Sequence, residues 1–371
     1  MRIIFAGGGT AGHINPALAV AEYIREKEPD SEILYIGAKN SMEERLVKQA
    51  GFPFKGITIS GFSRKISLES LKKNLITIKK VLISSKESKK IINEFKPDVC
   101  MGTGGYVSGP VLRAAAKMGI PIVVHEQNAY PGVANKMLSK YAKKMMLAVP
   151  DAKQYLKENC RTTVTGNPVR KEIIMADKTT ARKTLRLDSR PVILSFGGSL
   201  GARKINEAVL ELIAWSAKDD RYQHIHAYGQ YGKWFPDTLK EKGVDIAKHQ
   251  NLDIREYIND MPCCLAAADI VICRAGAITL SELQVQGKPA ILIPSPNVAE
   301  NHQYHNAMAL VRNKAAFMIE EEQLTGKTLI EAVEKMLEDP NKLAECEQNA
   351  RKMAIVDSNE RIYHIIKEVI K

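Results

Sequence analysis

Short, largely apolar runs alternate along this chain with longer mixed stretches. Arg2-Ile3-Ile4-Phe5-Ala6, Ile33-Leu34-Tyr35-Ile36, Asp98-Val99-Cys100-Met101 and Pro121-Ile122-Val123-Val124 each break into glycine or polar residues, with segments of helical length between them. A run without polar alternation predicts a strand buried on both faces, and a helix-length connection predicts a parallel partner. The pattern restarts at Pro191-Val192-Ile193-Leu194-Ser195-Phe196 and continues through Ile270–Cys273 and Ala290–Ile293. The fold class predicted is α/β, with two Rossmann-like, doubly wound parallel-sheet domains over residues 1–165 and 166–344. Their joint falls near Thr165-Gly166-Asn167-Pro168, and a helical tail over about 345–371 is free to pack back on the first domain.

Open parallel sheets bind ligands beyond the carboxyl ends of their strands. Gly-rich loops stand at three such ends: Gly7-Gly8-Gly9-Thr10-Ala11-Gly12, Gly102-Thr103-Gly104-Gly105-Tyr106-Val107-Ser108-Gly109-Pro110 and Gly197-Gly198-Ser199-Leu200-Gly201-Ala202. The first has the G-x-G-x-x-G spacing of a dinucleotide site. That reading needs an acid at the end of the second strand, which instead closes Tyr35-Ile36-Gly37-Ala38-Lys39. What the loops still offer is bare backbone N–H at helix N-termini, an anion site. Three of them suggest more than one phosphorylated ligand, held in a cleft between facing domains.

Several side chains add chemistry at these ends. His13 begins the first helix, whose dipole favours the neutral imidazole; it is either a base or a loop cap. His125-Glu126-Gln127-Asn128-Ala129-Tyr130-Pro131-Gly132 is either a binding group or a hydrogen-bonded turn. Arg274-Ala275-Gly276-Ala277-Ile278-Thr279-Leu280-Ser281-Glu282 repeats the strand–loop–helix theme, and Glu282 reads as a ribose acceptor or an ordinary helix acid. Asn301-His302-Gln303-Tyr304 adds donors beyond a later strand. No Asp-x-Asp pair or His/Asp cluster has metal spacing, so no metal is expected.

The net charge of +12 lies wholly before residue 166, the remainder holding equal numbers of acids and bases. That half is expected to meet something anionic. Leu71, Leu75, Ile78 and Leu82 form one helical stripe flanked by Lys72, Lys73, Lys79, Lys80, Lys86, Lys89 and Lys90. It reads either as a core-facing stripe with solvated lysines or as a surface for anionic lipid. The stretch lacks the interleaved aromatics of a nucleic-acid surface. The six cysteines have no metal spacing, and no apolar window approaches the length of a membrane span or a secretory leader, so a cytosolic protein with reduced thiols is expected.

GGGTAGHINPALA, GTGGYVSGP, HEQNAYPGVANK, TGNPVR, GGSLGA and CRAGAITLSE follow the order and places of the MurG family, which the chain resembles from residue 7 to about 307. The resemblance implies a GT-B architecture and an inverting N-acetylglucosaminyltransferase of peptidoglycan synthesis. Its donor would be UDP-N-acetylglucosamine (UDP-GlcNAc). Its acceptor would be lipid I, undecaprenyl-pyrophosphoryl-MurNAc-peptide, converted to lipid II. The protein would be peripheral, on the cytoplasmic face of the bacterial cell membrane, with no cofactor required.

Carried over by position, the resemblance makes His13 the catalytic base. It puts Ser199 at the donor diphosphate, Ile258 at the uracil through its backbone, Arg170 on the nucleotide and Glu282 on the ribose. Ala277, Ile278, Thr279, Leu280, Ser281 and Gln303 would line the sugar and diphosphate. Thr10, Ala11, Gly12 and Asn128 would reach the N-acetylglucosamine, while Gly104, Gly105 and Tyr106 would receive the acceptor pyrophosphate. Ala11 and Leu200 depart from the family, where glycine and glutamine are common. Three rivals stand beside this reading: a UDP-N-acetylglucosamine 2-epimerase on the same scaffold, a glycolipid glycosyltransferase with another acceptor, and a silent nucleotide-sugar sensor. Release of UDP that depends on lipid I separates them from it.

Overall fold

The computed structural model describes residues 1–61 and 68–370, with only the backbone described over 68–79. The chain divides into two units, Met1–Pro168 with Asp357–Lys371, and Val169–Val356. In the first unit it runs β1 (Arg2–Gly7), α1 (Ala11–Lys27), β2 (Glu32–Ala38), α2 (Met42–Gln49), β3 (Phe54–Ile57) and α3 (Leu68–Phe95). It continues through β4 (Val99–Gly104), α4 (Gly105–Lys117), β5 (Ile122–Glu126), α5 (Val133–Leu138), β6 (Lys144–Leu147) and β7 (Thr162–Val164). The strand order is β3-β2-β1-β4-β5-β6-β7, parallel at every pairing.

The unbroken apolar strands follow from helices on both faces. Alternate side chains of β1 part company: Ile3 and Phe5 pack with Ile14, Ala17 and Val20 of α1, while Ile4 and Ala6 pack with Val107, Val111 and Leu112 of α4. Each fully buried Val, Leu, Ile or Phe among them contributes about 1.5–3 kcal/mol.

The second unit runs α6 (Lys171–Met175), α7 (Lys178–Thr184), β8 (Val192–Phe196), α8 (Arg203–Ser216), β9 (Gln223–Ala227), α9 (Phe235–Glu241), β10 (Leu252–Arg255) and α10 (Met261–Ala267). Then come β11 (Ile270–Cys273), α11 (Ala277–Gln286), β12 (Ala290–Leu292), α12 (His302–Arg312), β13 (Phe317–Met318), α13 (Gly326–Leu337) and α14 (Pro340–Met353). Its strands order β10-β9-β8-β11-β12-β13, again parallel. After α14 the chain re-enters the first unit as α15 (Ser358–Ile370), where Ile362, Ile365 and Ile366 join the core of α1.

Each sheet reverses its winding direction once, between β1 and β4 in one and between β8 and β11 in the other. The loops at those points are where such sheets hold ligands. Ser41, Asp177, Thr325 and Asp339 cap α2, α7, α13 and α14 with side-chain oxygens. The helices α1, α4, α8 and α11 begin without a side-chain cap and without an acid in the first turn. Their leading N–H groups are left to attract an anion.

Candidate active site

In the first unit, β1 and β4 end together. Their register slips between Ala6 and Gly7, setting Gly7 against Gly104. The loop after β1 then touches the start of α4: Gly8 N–H donates to the Gly104 carbonyl at 3.3 Å. Gly105 sits at φ +78°, and a Cβ there would fall 2.0 Å from the Gly8 carbonyl oxygen, so no other residue fits. The Tyr106 ring covers Gly9. Ser108 fixes the turn from within, accepting Gly104 N–H at 3.0 Å with its hydroxyl 2.6 Å from the Ala6 carbonyl.

His13 lies in the first turn of α1, half-buried. The buried Thr103 hydroxyl donates to its carbonyl at 2.6 Å and ties that turn to β4. Ring atom Nδ1 lies 3.2 Å from the Gly8 carbonyl and 3.2 Å from the Thr10 hydroxyl. A carbonyl only accepts, so Nδ1 carries the proton and Nε2 holds the lone pair. Nε2 stands over Gly104, 3.2 Å from where a Cβ would be. Burial lowers the pKa of His13, outweighing the opposite pull of the Gly8 carbonyl. The result is a neutral imidazole with an available lone pair between two uncapped helix ends. Thr10, Ala11 and Gly12 are exposed around it.

The segment after β5 is organised by two buried side chains. His125 lies 2.9 Å through Nε2 from the Gly166 carbonyl and takes the Gln127 amide on Nδ1 at 3.1 Å; burial holds its pKa down to about 4. It is a neutral brace. Glu126 accepts from Asn128 N–H at 2.9 Å, Asn128 Nδ2 at 3.1 Å, Gly132 N–H at 3.1 Å and Asn135 Nδ2 at 2.8 Å. Burial pushes its pKa up, against these four donors.

The loops after β8, β9 and β10 of the second unit interlock. Gln230 N–H donates to the Ser199 carbonyl at 3.2 Å, and Gly229 N–H to the Glu256 carbonyl at 2.9 Å. Gly201 and Gly229 press backbone to backbone, where a Cβ on Gly229 would lie 2.1 Å from Gly201 N. Ser199 is thereby presented exposed at the head of its loop. Ile258 buries its side chain after β10.

Glu282 stands in the second turn of α11, with Arg170 Nη2 3.8 Å from its carboxylate. Burial raises its pKa to about 7, with Arg170 pulling the other way. Ala277, Ile278 and Thr279 head α11, whereas Leu280 is buried and its N–H is engaged by Gly276 at 3.0 Å. Ser281 turns its hydroxyl back to the Ala277 carbonyl at 3.2 Å. Gln303 accepts Ser295 N–H at 2.9 Å, which orients its amide NH2 away from that bond. The structure thus groups His13 with Thr10, Gly104, Gly105 and Tyr106 in one unit. It groups Arg170 with Glu282 in the other, with Ser199 and Ile258 on separate loops and Gln303 in the first turn of α12. Among the described residues, no group of three or more His, Cys, Asp or Glu is placed to hold a metal ion, and no helix is long and apolar enough to cross a membrane.

Sequence reasoning singled out none of Glu43, Thr103, Ser108 or Asn135. Glu43 is buried and accepts Ala38 N–H at 3.2 Å beside Gly8 and Gly9. Only Glu126 carried a visible signal, a charge ending an otherwise apolar strand.

Residues 3–147 match the Glycosyltransferase family 28 N-terminal domain, and residues 192–362 match the Glycosyltransferase family 28 C-terminal domain. A protein of Acetivibrio thermocellus is 45% identical over 100% of this chain and 99% of its own length. It is named UDP-N-acetylglucosamine--N-acetylmuramyl-(pentapeptide) pyrophosphoryl-undecaprenol N-acetylglucosamine transferase. A Thermoanaerobacter protein of the same name is 43% identical over the full length of both chains. The crystal structure of Acinetobacter baumannii MurG superposes with a TM-score of 0.79 at 28% identity, covering 99% of each chain. With both family 28 domains in place and full-length relatives of one name, the chain belongs to glycosyltransferase family 28 and, within it, to the MurG family.

Proposed function

We propose that this chain transfers N-acetylglucosamine from UDP-GlcNAc to the C4 hydroxyl of the muramyl sugar of lipid I, with inversion, to give lipid II. The observation that carries the mechanism is the His13 ring, held through Nδ1 on the Gly8 carbonyl with Nε2 free to accept a proton. Nε2 takes the proton of the C4 hydroxyl as that oxygen attacks the anomeric carbon, and the bond to UDP breaks on the opposite face. The second unit holds the donor nucleotide: the loop of Ser199 and the N-terminus of α11 meet the diphosphate, Ile258 the uracil and Glu282 the ribose. Arg170, Ala277, Ile278, Thr279, Leu280, Ser281 and Gln303 complete that set.

The first unit holds the acceptor. Thr10, Ala11, Gly12 and Asn128 recognise the transferred sugar, and Gly104, Gly105 and Tyr106 the acceptor pyrophosphate. Uncapped helix ends and Arg170 carry the diphosphate charge, so the reading assigns no metal and no cofactor.

The first unit also seats the enzyme on anionic lipid, peripherally and on the cytoplasmic face of the membrane, and nucleic acid is not a partner. The side chains of Leu71, Lys72, Lys73, Leu75, Ile78 and Lys79 lie outside the described residues. Supporting the lipid reading, Leu82 and Ile83 of α3 and Val133 and Met137 of α5 are exposed apolar groups on helices that both pack against α4.

The test is transfer of labelled N-acetylglucosamine to a lipid I analogue in EDTA, with detergent or vesicles. Labelled disaccharide-lipid formed together with UDP supports the reading. Donor binding without transfer overturns the acceptor assignment and favours another glycolipid or a sensor. Conversion of UDP-GlcNAc without lipid I favours the epimerase.

A further inference from the structure

We infer that Glu126 is a positioning residue for sugar transfer, acting through Asn128 on one side and Asn135 on the other. The inference rests on the reading that Asn128 meets the donor sugar. Glu126 ends β5 and is buried, yet its carboxylate touches no cation among the described residues. All four of its partners are donors: two backbone N–H groups and two side-chain amides. Such a set saturates both oxygens of an ionised carboxylate and leaves no acceptor for a carboxyl proton. The bond to Asn128 Nδ2 decides which end of that amide is carbonyl and which is NH2. With backbone N–H and side chain of Asn128 both on Oε1, the residue is held at two points.

The other oxygen reaches toward His13. Asn135 Nδ2 donates to Glu126 Oε2 at 2.8 Å and also lies 3.3 Å from the position a Cβ would take on Gly104. His13 Nε2 lies 3.2 Å from that same position. Glu126 therefore joins the loop of Asn128 to the floor beneath the His13 ring. Gly132 N–H, the fourth donor, pins the turn that leads into α5. One carboxylate thus sets the sugar contact, which it holds directly, relative to the base, which it reaches through Asn135 and the Gly104 floor.

The experiment compares Glu126→Gln, Asn128→Ala and their double variant in the full-length enzyme. It measures kcat, KM for UDP-GlcNAc and the inhibition constant of UDP. Glu126→Gln places an NH2 against donors, so kcat/KM should fall about 10–100-fold while UDP inhibition changes less than twofold. The double variant should lose far less than the product of the two single losses, because Glu126 acts through Asn128. Asn135→Ala, which spares the carboxylate and its loop bonds, should show the same split at smaller size and stands in if Glu126→Gln does not fold. Losses that multiply, or a weakening of UDP equal to that of UDP-GlcNAc, would overturn the inference. A damaging Asn128→Ala beside a silent Glu126→Gln and a silent Asn135→Ala overturns the inference alone. A silent Asn128→Ala overturns the underlying sugar assignment, and the inference with it.

Discussion

His13 Nδ1, in the first turn of α1, lies 3.2 Å from the carbonyl oxygen of Gly8, five residues earlier in the loop that leads into that helix. That contact selects the tautomer and leaves Nε2 as the basic nitrogen. His13→Ala should lower kcat about 10²–10⁴-fold while leaving UDP-GlcNAc affinity within a fewfold. Because burial lowers the His13 pKa, the acid limb of the wild-type kcat profile should fall below the ordinary imidazole value of 6.5. Unchanged turnover in the variant, or an acid limb above that value, would remove His13 from the role.

Glu282 titrates near neutrality, and its ionised form is the better acceptor for two ribose hydroxyls. UDP affinity should therefore rise with pH through about 7 and level off above it. Glu282→Gln should flatten this dependence and cost about tenfold in affinity. Arg170 opposes the effect of burial, so Arg170→Ala should move the wild-type curve to higher pH. Titration calorimetry of UDP between pH 6 and 8.5 reads all three. A flat wild-type profile would end the argument.

The glycines of the first unit are unequal. At Gly105 both a positive φ and the Gly8 carbonyl forbid a side chain, so Gly105→Ala should cost about 3 kcal/mol or more of stability. At Gly12 the nearest atom is the Thr10 hydroxyl at 3.6 Å, and the backbone is helical. Gly12→Ala should stabilise by up to about 1 kcal/mol whatever it does to sugar binding. Urea unfolding of the two variants should move in opposite directions; parallel shifts would contradict the packing described.

Three buried histidines make the fold sensitive to acid. His125 stays neutral down to about pH 4, and His224 and His226 of β9 down to about 3, all through burial. The unfolded chain protonates them near 6.5, so between these values it binds more protons than the fold. Stability should fall as pH drops below 6.5, by about 1.4 kcal/mol per pH unit for each histidine. His224→Gln should make the slope shallower in the second unit, and urea midpoints at pH 7.5 and 5 measure it. An unaltered slope would show that His224 is not the group protonating.

If the first unit sits on anionic lipid, reversing Lys80, Lys86 and Lys89 to Glu should weaken sedimentation with phosphatidylglycerol vesicles. At about 1 kcal/mol per cation the three reversals amount to a loss above 100-fold. UDP affinity, which we assign to the other unit, should stay constant. Vesicle binding that survives the reversals would exclude this helix as the lipid surface.

Much of the architecture was legible because its signals are local. An apolar run between glycines is a buried parallel strand whatever surrounds it, and the runs at Ile3, Val99, Val192 and Ile270 all form sheet centres. The loops that follow could be placed at strand ends for the same reason. What holds those loops in shape is not local. Thr103 reaches His13 across 90 residues and Ser108 reaches Ala6 across 102, and neither leaves a trace in spacing. The missing helix caps were equally hidden, since their meaning appears only where those helix starts meet the strand ends at which each sheet reverses its winding. The stripe proposed over Leu71, Leu75 and Ile78 lies outside the described residues, though Leu82, its last member, is 65% exposed.

The return of α15 to the first unit bears on how the protein is made. Ile362 and Ile366 are wholly buried beside α1, and Tyr363 closes on Glu28 at 2.7 Å. A ribosome delivers this helix only after every residue of the second unit has left the exit tunnel. The first unit thus waits with one face of its core uncovered while its neighbour is synthesised and folds. Nascent chains arrested before Asp357 should therefore recruit chaperones through the older unit, the one translated first and finished last.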